Sequence, residues 1–423
     1  MKLFKYFKIP NETKSYSSSL SSGCSRQSFI DHLLQNKQYD LAASQAVNYY
    51  GNCAPLYTAI DWVATEAASI DIMLWDSSKK EYVKNHPVID LLESPNADAT
   101  YEEFLYGLVA FFLLTGNSYI TADGDVMRPP VSLWDIPPQA VTFTVASDGY
   151  PASFTAQTAY DAHTFTRKLV NSRFRYYENN IRELYQIKTF NPDATNFRIV
   201  GKSPLNSIYY EIEQYLAAST HNLSLLKRGA TLGGIFKHGS KLTDDSYRRL
   251  QNQIDIFFSG ERNAGRPILA EDGLDFTATG QTNKDMDFME LKRQVTAMIY
   301  NVLRIPLPLV SESTMTLANM ESAKLNLYDN AVLPVVNRIF AELSNFLLPR
   351  YPNSEGLVFA YDPGSILALE PRRNENLKFL NELNVLTTNE VRAQVGYEAL
   401  EGGDDLYQPS TNVPFARDTD TST

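Results

Sequence analysis

Ile305-Pro306-Leu307-Pro308-Leu309-Val310-Ser311-Glu312-Ser313-Thr314-Met315-Thr316 stands between two apolar stripes of helical period. On its N-terminal side, within Asn283–Arg304, the stripe is Phe288, Leu291, Val295, Met298 and Val302. On its C-terminal side Asn319 is a candidate N-cap, and the stripe runs Leu325, Tyr328, Val332, Val335, Ile339, Leu343 and Phe346. At ~1.5 Å per residue the second helix would be roughly 45 Å long, beyond most globular helices. Pro306 and Pro308 stiffen the entry to the polar run. Pro334 removes one backbone hydrogen bond inside the long helix, so a kink is expected near Asn330. The stretch holds no nucleophile, metal cluster or phosphate loop. Its design suits assembly and the guarding of a passage.

A chain of 423 residues with 43% hydrophobic and 21% charged content can build two or three ordinary domains. The longest apolar run, Phe104–Leu114, falls short of the ~20 residues of a membrane span. The lysine- and aromatic-rich Met1–Ile9 lacks a secretory pattern, and no membrane association is expected. The two cysteines, Cys24 and Cys53, are expected as free thiols. His32, His86, His163, His221 and His238 are scattered, so neither a zinc site nor any other metal or cofactor is expected. The net charge of −11 argues against a protein that grips duplex DNA by counterion release. It leaves room for one that lets DNA pass without adhesion.

In chain order, residues 1–40 read as a flexible arm with at most a short helix at Phe29–Leu34. Tyr57–Ser69 is predicted as a helix and Ile70–Trp75 as a strand. Pro87 opens a short helix closed by Ser94-Pro95-Asn96. Thr100 and Glu103 form a capping box for the helix Phe104–Leu114, which Gly116 stops. From Val131 to Val200 the signals are mostly β, including Val141–Val145, Ala152–Thr155, Arg173–Tyr177, Glu183–Thr189 and Phe197–Val200. They suggest a small antiparallel sheet or barrel.

A long helix from Ser207 to Arg228 carries the stripe Ile208, Ile212, Tyr215, Ser219, Asn222 and Leu226. A compact insert follows. It has a strand Ile235–Lys237, a helix capped by Thr243, and an expected hairpin of Arg266–Leu269 with Leu274–Thr277. The chain then returns at Asn283 into the opening stretch, so two helices bear a small head. Leu357–Tyr361 is a strand, Arg372–Leu383 a helix, and Thr387/Glu390 a second capping box before a short helix closed by Gly396. From Gly402 onward the chain reads as disordered.

Enzymatic motifs are missing. Asp285, Asp287 and Glu290 suit a solvated helix start better than a paired-carboxylate site. Gly233-Gly234 and Ser259–Arg266 are turns, not phosphate loops. No G-x-S-x-G elbow occurs. The basic pairs Lys227-Arg228, Arg248-Arg249, Arg262/Arg266 and Lys292-Arg293 read as solubility charge in a monomer. Around a symmetry axis each would become a belt.

Several stretches, in order, resemble the phage portal proteins of the HK97 type. They are His86-Pro87…Leu91-Leu92…Pro95-Asn96, Thr115-Gly116-Asn117-Ser118-Tyr119-Ile120 and Gly201-Lys202-Ser203-Pro204-Leu205. Further on come Asn263–Leu269, Glu271–Phe276, and Leu386–Arg392 running into Gly402-Gly403-Asp404. The resemblance implies a homo-oligomeric ring, typically of about twelve copies, at one capsid vertex, with double-stranded DNA passing through regardless of sequence. It implies an α+β portal fold: wing 41–206, stem helices 207–230 and 283–304, clip 231–282, tunnel loop 305–318, long helix 319–350, wing strand 351–370, crown 371–402 and a tail 403–423.

By the same resemblance Leu309, Ser311, Glu312, Ser313, Thr314, Met315 and Thr316 would face DNA. Lys227, Arg228, Lys292 and Arg293 would be channel cations. Arg248, Arg249, Arg262 and Arg266 would dock partners. Those partners are the terminase large subunit, the major capsid protein and neck or adaptor proteins. The protein would reside in the virion, and in host cytoplasm during assembly. The resemblance carries no catalytic residues. At one place the pattern departs: Arg304-Ile305-Pro306-Leu307-Pro308 replaces the usual Gly-Val-Pro-Pro. A virion scaffold or tail adaptor without a channel is the alternative, and a hydrolase ranks last.

Overall fold

The computed structural model describes residues 42–83, 85–125, 128–157, 161–170, 173–192, 199–227, 234–238, 243–258, 274–278, 288–310, 317–382, 386–395 and 398–405. The arm 1–40 with Cys24, the residues Ser311–Thr316, Arg228, Arg262, Arg266, Asp285, Asp287 and Gly396, and the tail from 406 lie outside them.

The core is built from helices that are apolar on more than one face. α1 (Ala43–Asn52) leads into α2 (Ala54–Ala68), which buries Leu56, Ala59, Ile60, Val63, Ala64 and Ala67. Such an alanine-rich face lets neighbouring backbones approach closely. α4 (Tyr101–Thr115) packs against it, burying Phe104, Leu105, Leu108 and Val109; α3 (Pro87–Glu93) precedes it. Both ends of α4 are as the sequence predicts. Thr100 accepts from the Glu103 amide while Glu103 accepts from the Thr100 amide, and Gly116 stops the helix in the left-handed region at φ +71°. The sequence did not mark His86, whose side chain accepts from the Val88 amide and caps α3.

β3 (Asn117–Asp123) runs straight out of α4 and is buried along nearly its whole length. It is the second strand of a seven-stranded antiparallel sheet. With β4 (Ser132–Ile136), β5 (Val141–Val145), β6 (Pro151–Gln157), β7 (Ala162–Val170), β8 (Arg173–Glu178) and β9 (Arg182–Lys188) the order is β4-β3-β9-β8-β7-β6-β5. The sheet is open, not a barrel. It carries its own small core of Tyr119 from β3, Leu184 from β9, Phe165 from β7, and Phe154 and Ala156 from β6. Of the expected strand Phe197–Val200, Phe197 and Arg198 lie outside the described residues, while Ile199 and Val200 are not in a strand and Ile199 is buried. A second sheet joins β1 (Met73–Asp76), β2 (Glu81–Val83) and the distant β12 (Leu357–Ala360) in the order β12-β1-β2.

The long helix of the opening stretch begins by Leu317, so Asn319 lies inside it and is not an N-cap. α8 (Leu317–Leu327) continues through one π turn (Tyr328–Val332) into α9 (Leu333–Leu347). Pro334 sits two residues into α9 and cannot donate to Asn330. The chain answers by widening: the Leu333 amide donates to the Tyr328 carbonyl, five residues back. The break predicted from Pro334 is therefore a π turn. Two contacts hold it: the Tyr328 hydroxyl donates to Glu66 at 2.5 Å, and Arg372 donates to Asp329 at 2.9 and 3.2 Å. By length and apolarity Asn319–Arg350 is the one described helix that could cross a membrane, but more than half of its apolar window is buried in this core. The face Tyr328, Val332, Ile339, Leu343 and Phe346 is buried, as the stripe requires.

α10 (Glu370–Glu382) and α11 (Thr388–Val395) follow. The predicted cap of α11 forms: the Thr387 amide donates to Glu390 at 2.8 Å and the Glu390 amide to Thr387 Oγ1 at 3.2 Å. The tail does not begin at Gly402. The Asn389 amide donates to the Gly403 carbonyl at 2.9 Å, and its Nδ2 donates to Leu400 and Asp404 at 2.9 Å each. The described residues 398–405 are tied to α11 by Asn389, whose side chain also accepts from the Leu400 amide at 2.7 Å.

Candidate functional site

Two of the stretches that carry the portal resemblance, Thr115–Ile120 and Gly201–Leu205, meet in space, and the meeting is polar and buried. Asn117 Oδ1 accepts from the Gly201 amide at 2.7 Å while its Nδ2 donates to the Gly201 carbonyl at 3.1 Å. Ser203 Oγ donates to the Leu114 carbonyl at 2.7 Å, and Thr189 Oγ1 to the Lys202 carbonyl at 2.7 Å. Gly116 and Gly201 are glycines because nothing larger fits. A Cβ on Gly201 would lie 2.1 Å from the Gly116 carbonyl oxygen, and one on Gly116 would lie 2.6 Å from Lys202 backbone atoms. This knot fixes where the chain leaves the sheet and enters α5 (Tyr209–Lys227). In the same manner Asn96 Nδ2 donates to the Leu133 carbonyl at 2.8 Å and clasps the Pro95-Asn96 turn onto β4.

α5 begins in the core with Ile208 and Ile212 buried. Its later positions, such as Ser219 and Asn222, are half-buried at most. α7 (Phe288–Val302) packs on it. Lys292 Nζ lies 5.3 Å from the Tyr215 ring, and Phe288 pairs with His221 at 5.3 Å. The later α7 residue meets the earlier α5 residue, so the two helices are antiparallel. The buried face of α7 is Val295, Ile299 and Tyr300; Met298, assigned to the stripe from spacing, is exposed. The four-residue step from Val295 to Ile299 aligns better with α5 than the three-residue step does.

Between the two helices the chain forms β10 (Gly234–His238), α6 (Asp244–Phe258) and β11 (Leu274–Ala278). β11 pairs antiparallel with β10, Phe236 opposite Phe276. The strand Arg266–Leu269, expected as its hairpin partner, lies outside the described residues. Thr243 Oγ1 accepts from the Ser246 amide at 3.4 Å and caps α6, as its sequence indicates.

The candidate basic residues are not equivalent. Lys227, Arg248 and Arg249 are exposed. Arg293 is exposed beside Glu290 at 3.7 Å. Lys292 is half-buried over Tyr215, which occupies its charge within the helix pair. Arg228, Arg262 and Arg266 lie outside the described residues, as do Ser311–Thr316.

The entry to that polar run is described. Arg304 adopts φ +61°, and the Ile305 amide donates to the Tyr300 carbonyl at 2.8 Å, closing α7. A left-handed stop of this kind is a position that glycine would take without strain, and here arginine takes it. A short turn Leu307–Leu309 follows, and Leu309 packs half-buried against the core. Leu309 thus anchors the loop to the body. The described residues contain no group of three or more His, Cys, Asp or Glu placed to hold a metal. Cys53 is a free, fully buried thiol, and burial pushes its pKa up.

One polar element escaped the sequence reading. Arg350, in a short turn just after α9, pairs with Glu183 of β9, both almost fully buried. Arg175 also approaches Glu183, at 3.4 Å, and the Phe346 ring lies 4.9 Å from the Arg350 guanidinium. With Tyr185 stacked on Phe346 at 4.5 Å, this ties the long helix to the sheet.

The described residues thus hold an antiparallel helix pair, a two-stranded unit with α6 between its members, and one long core helix. The phage portal protein family model matches residues 54–396, and the chain belongs to that family. An uncharacterized protein of Rickettsia bellii (strain RML369-C) is 27% identical over 364 residues, covering 85% of this chain and 90% of that one. Among solved structures, a chain from the neck of an empty gene transfer agent particle, computed with C6 symmetry, is similar at 24% identity and a TM-score of 0.61. It covers 85% of this chain and 94% of that one. An HK97-family phage portal protein from Corynebacterium diphtheriae is similar at 11% identity and a TM-score of 0.50, over 78% of this chain and 97% of that one.

Proposed function

We propose that the protein is the portal subunit of a phage or gene transfer particle, assembling into a ring that conducts double-stranded DNA during packaging and ejection. The observation that carries this reading is the family match, which runs from α2 through both stem helices and the long helix to α11. The rotational symmetry of the neck containing the similar chain supports a ring. With about twelve copies at −11 each, the ring would carry on the order of −130 charges, which disfavours adhesion of passing DNA.

In this reading the antiparallel pair α5 and α7 is the stem, residues 231–282 are the clip, and Ser311–Thr316 form a nearly uncharged constriction on the axis. The exposed Arg248 and Arg249 of α6 place positive charge on the clip, for docking the terminase large subunit and then neck proteins. The wing, centred on the seven-stranded sheet, meets the major capsid protein.

Shortening Ser311–Thr316 by about half tests the constriction, because these residues leave the Leu309 anchor in place. Ring assembly should persist while nuclease-resistant DNA per particle falls. Normal packaging in the shortened variant would remove the loop from the mechanism.

A further inference from the structure

A groove of about 600 Å³ opens where the end of α7, the π turn and the end of β9 converge. Its lining is mainly apolar, with Pro334 and Val335 among its walls. Three cations line it: Lys188, Arg304 and Arg338. Arg338 is paired with Glu342 at 2.9 Å, and burial lowers the Lys188 pKa. Arg304 makes no ion pair among the described residues. At the mouth stands Phe190, 83% exposed, an aromatic surface that no element among the described residues covers. An apolar trough with a cationic rim fits an apolar knob flanked by carboxylate.

The groove rests on fixed backbone. The floor is the π turn, held by Glu66 and Arg372, and Thr189 beside it belongs to the Gly116–Gly201 knot. It is therefore preformed, which lowers the cost of filling it.

We propose that a second copy of this chain fills the groove, making it one side of the head-to-tail contact that closes the ring. This rests on the portal reading. A ring with one kind of contact needs two different surfaces on each subunit, one giving and one receiving. The groove has the receiving shape. The chain is acidic overall, at −11, and so matches a cationic rim. It also displays the giving chemistry: Leu367, 80% exposed, stands three residues before Glu370.

The test uses the full-length protein with Phe190→Asp and, separately, Arg304→Glu. Both side chains are exposed, so each variant is expected to keep the parent's circular dichroism and melting behaviour. Mass photometry at a concentration where the parent is mostly rings should show the ring fraction reduced about tenfold or more in each variant. Parent-level rings in both folded variants would overturn this contact and leave the portal reading standing. A parent that forms no rings at any concentration would overturn both.

Discussion

Replacing Gly201 by alanine is expected to destabilise the protein by on the order of 3–5 kcal/mol, although it adds only one methyl group. The new Cβ would sit 2.1 Å from the Gly116 carbonyl oxygen and 2.6 Å from the Thr189 amide nitrogen. Both neighbours are backbone, so no rotamer change relieves the clash. Either α4 and β9 separate from the 201–203 segment or the segment lifts away. Lifting strands the buried Asn117 amide group, which now satisfies both backbone groups of Gly201. Gly51→Ala is the control. It lies in α1 with nothing within 4 Å of the added carbon, and should be neutral or stabilising by up to ~1 kcal/mol. Urea unfolding of both variants decides the matter. A Gly201→Ala midpoint equal to that of Gly51→Ala would refute the knot.

Arg350→Met should cost about 3–5 kcal/mol, because it leaves the Glu183 carboxylate buried with only Arg175 near it. The loss comes from the abandoned charge more than from the missing pair. Accordingly Glu183→Gln combined with Arg350→Met should recover much of the stability, since the uncompensated charge is gone. A double variant as weak as the sum of the two singles would show that the residues act independently. The effect should fall on the joint between α9 and β9, where Tyr185 and Phe346 also stack. Amide exchange in β9 would report that local loosening.

These two sites show what the sequence could and could not say. Gly116 was legible as a helix stop from its place after an apolar run. That it abuts Lys202 was not, because a turn glycine and a contact glycine look alike in one chain. The stripes on α4 and on the long helix were legible, since burial on one face forces a period of 3.6. Within α7 the same logic chose Met298 over Ile299, because its phase depends on where α5 lies. Pro334 announced a break, but not its form as a π turn or the contacts from Glu66 and Arg372 that meet that turn.

The unit between α5 and α7 was legible in its elements, and the pairing of β11 with β10 was not. The Glu183–Arg350 pair had no signal, as each residue alone reads as surface charge. For the functional region, the departure Arg304-Ile305-Pro306 was visible from the start, and the structure gives it a physical account. Arg304 holds the left-handed conformation that glycine would adopt without strain.

Electron microscopy of the purified full-length protein tests the central claim most directly. The account predicts closed rings seen end-on with an open hole at the centre, and side views with a narrow projection formed by α5, α7 and the β10–α6–β11 unit. A monomer at every concentration, or a closed oligomer without an axial opening, would contradict it.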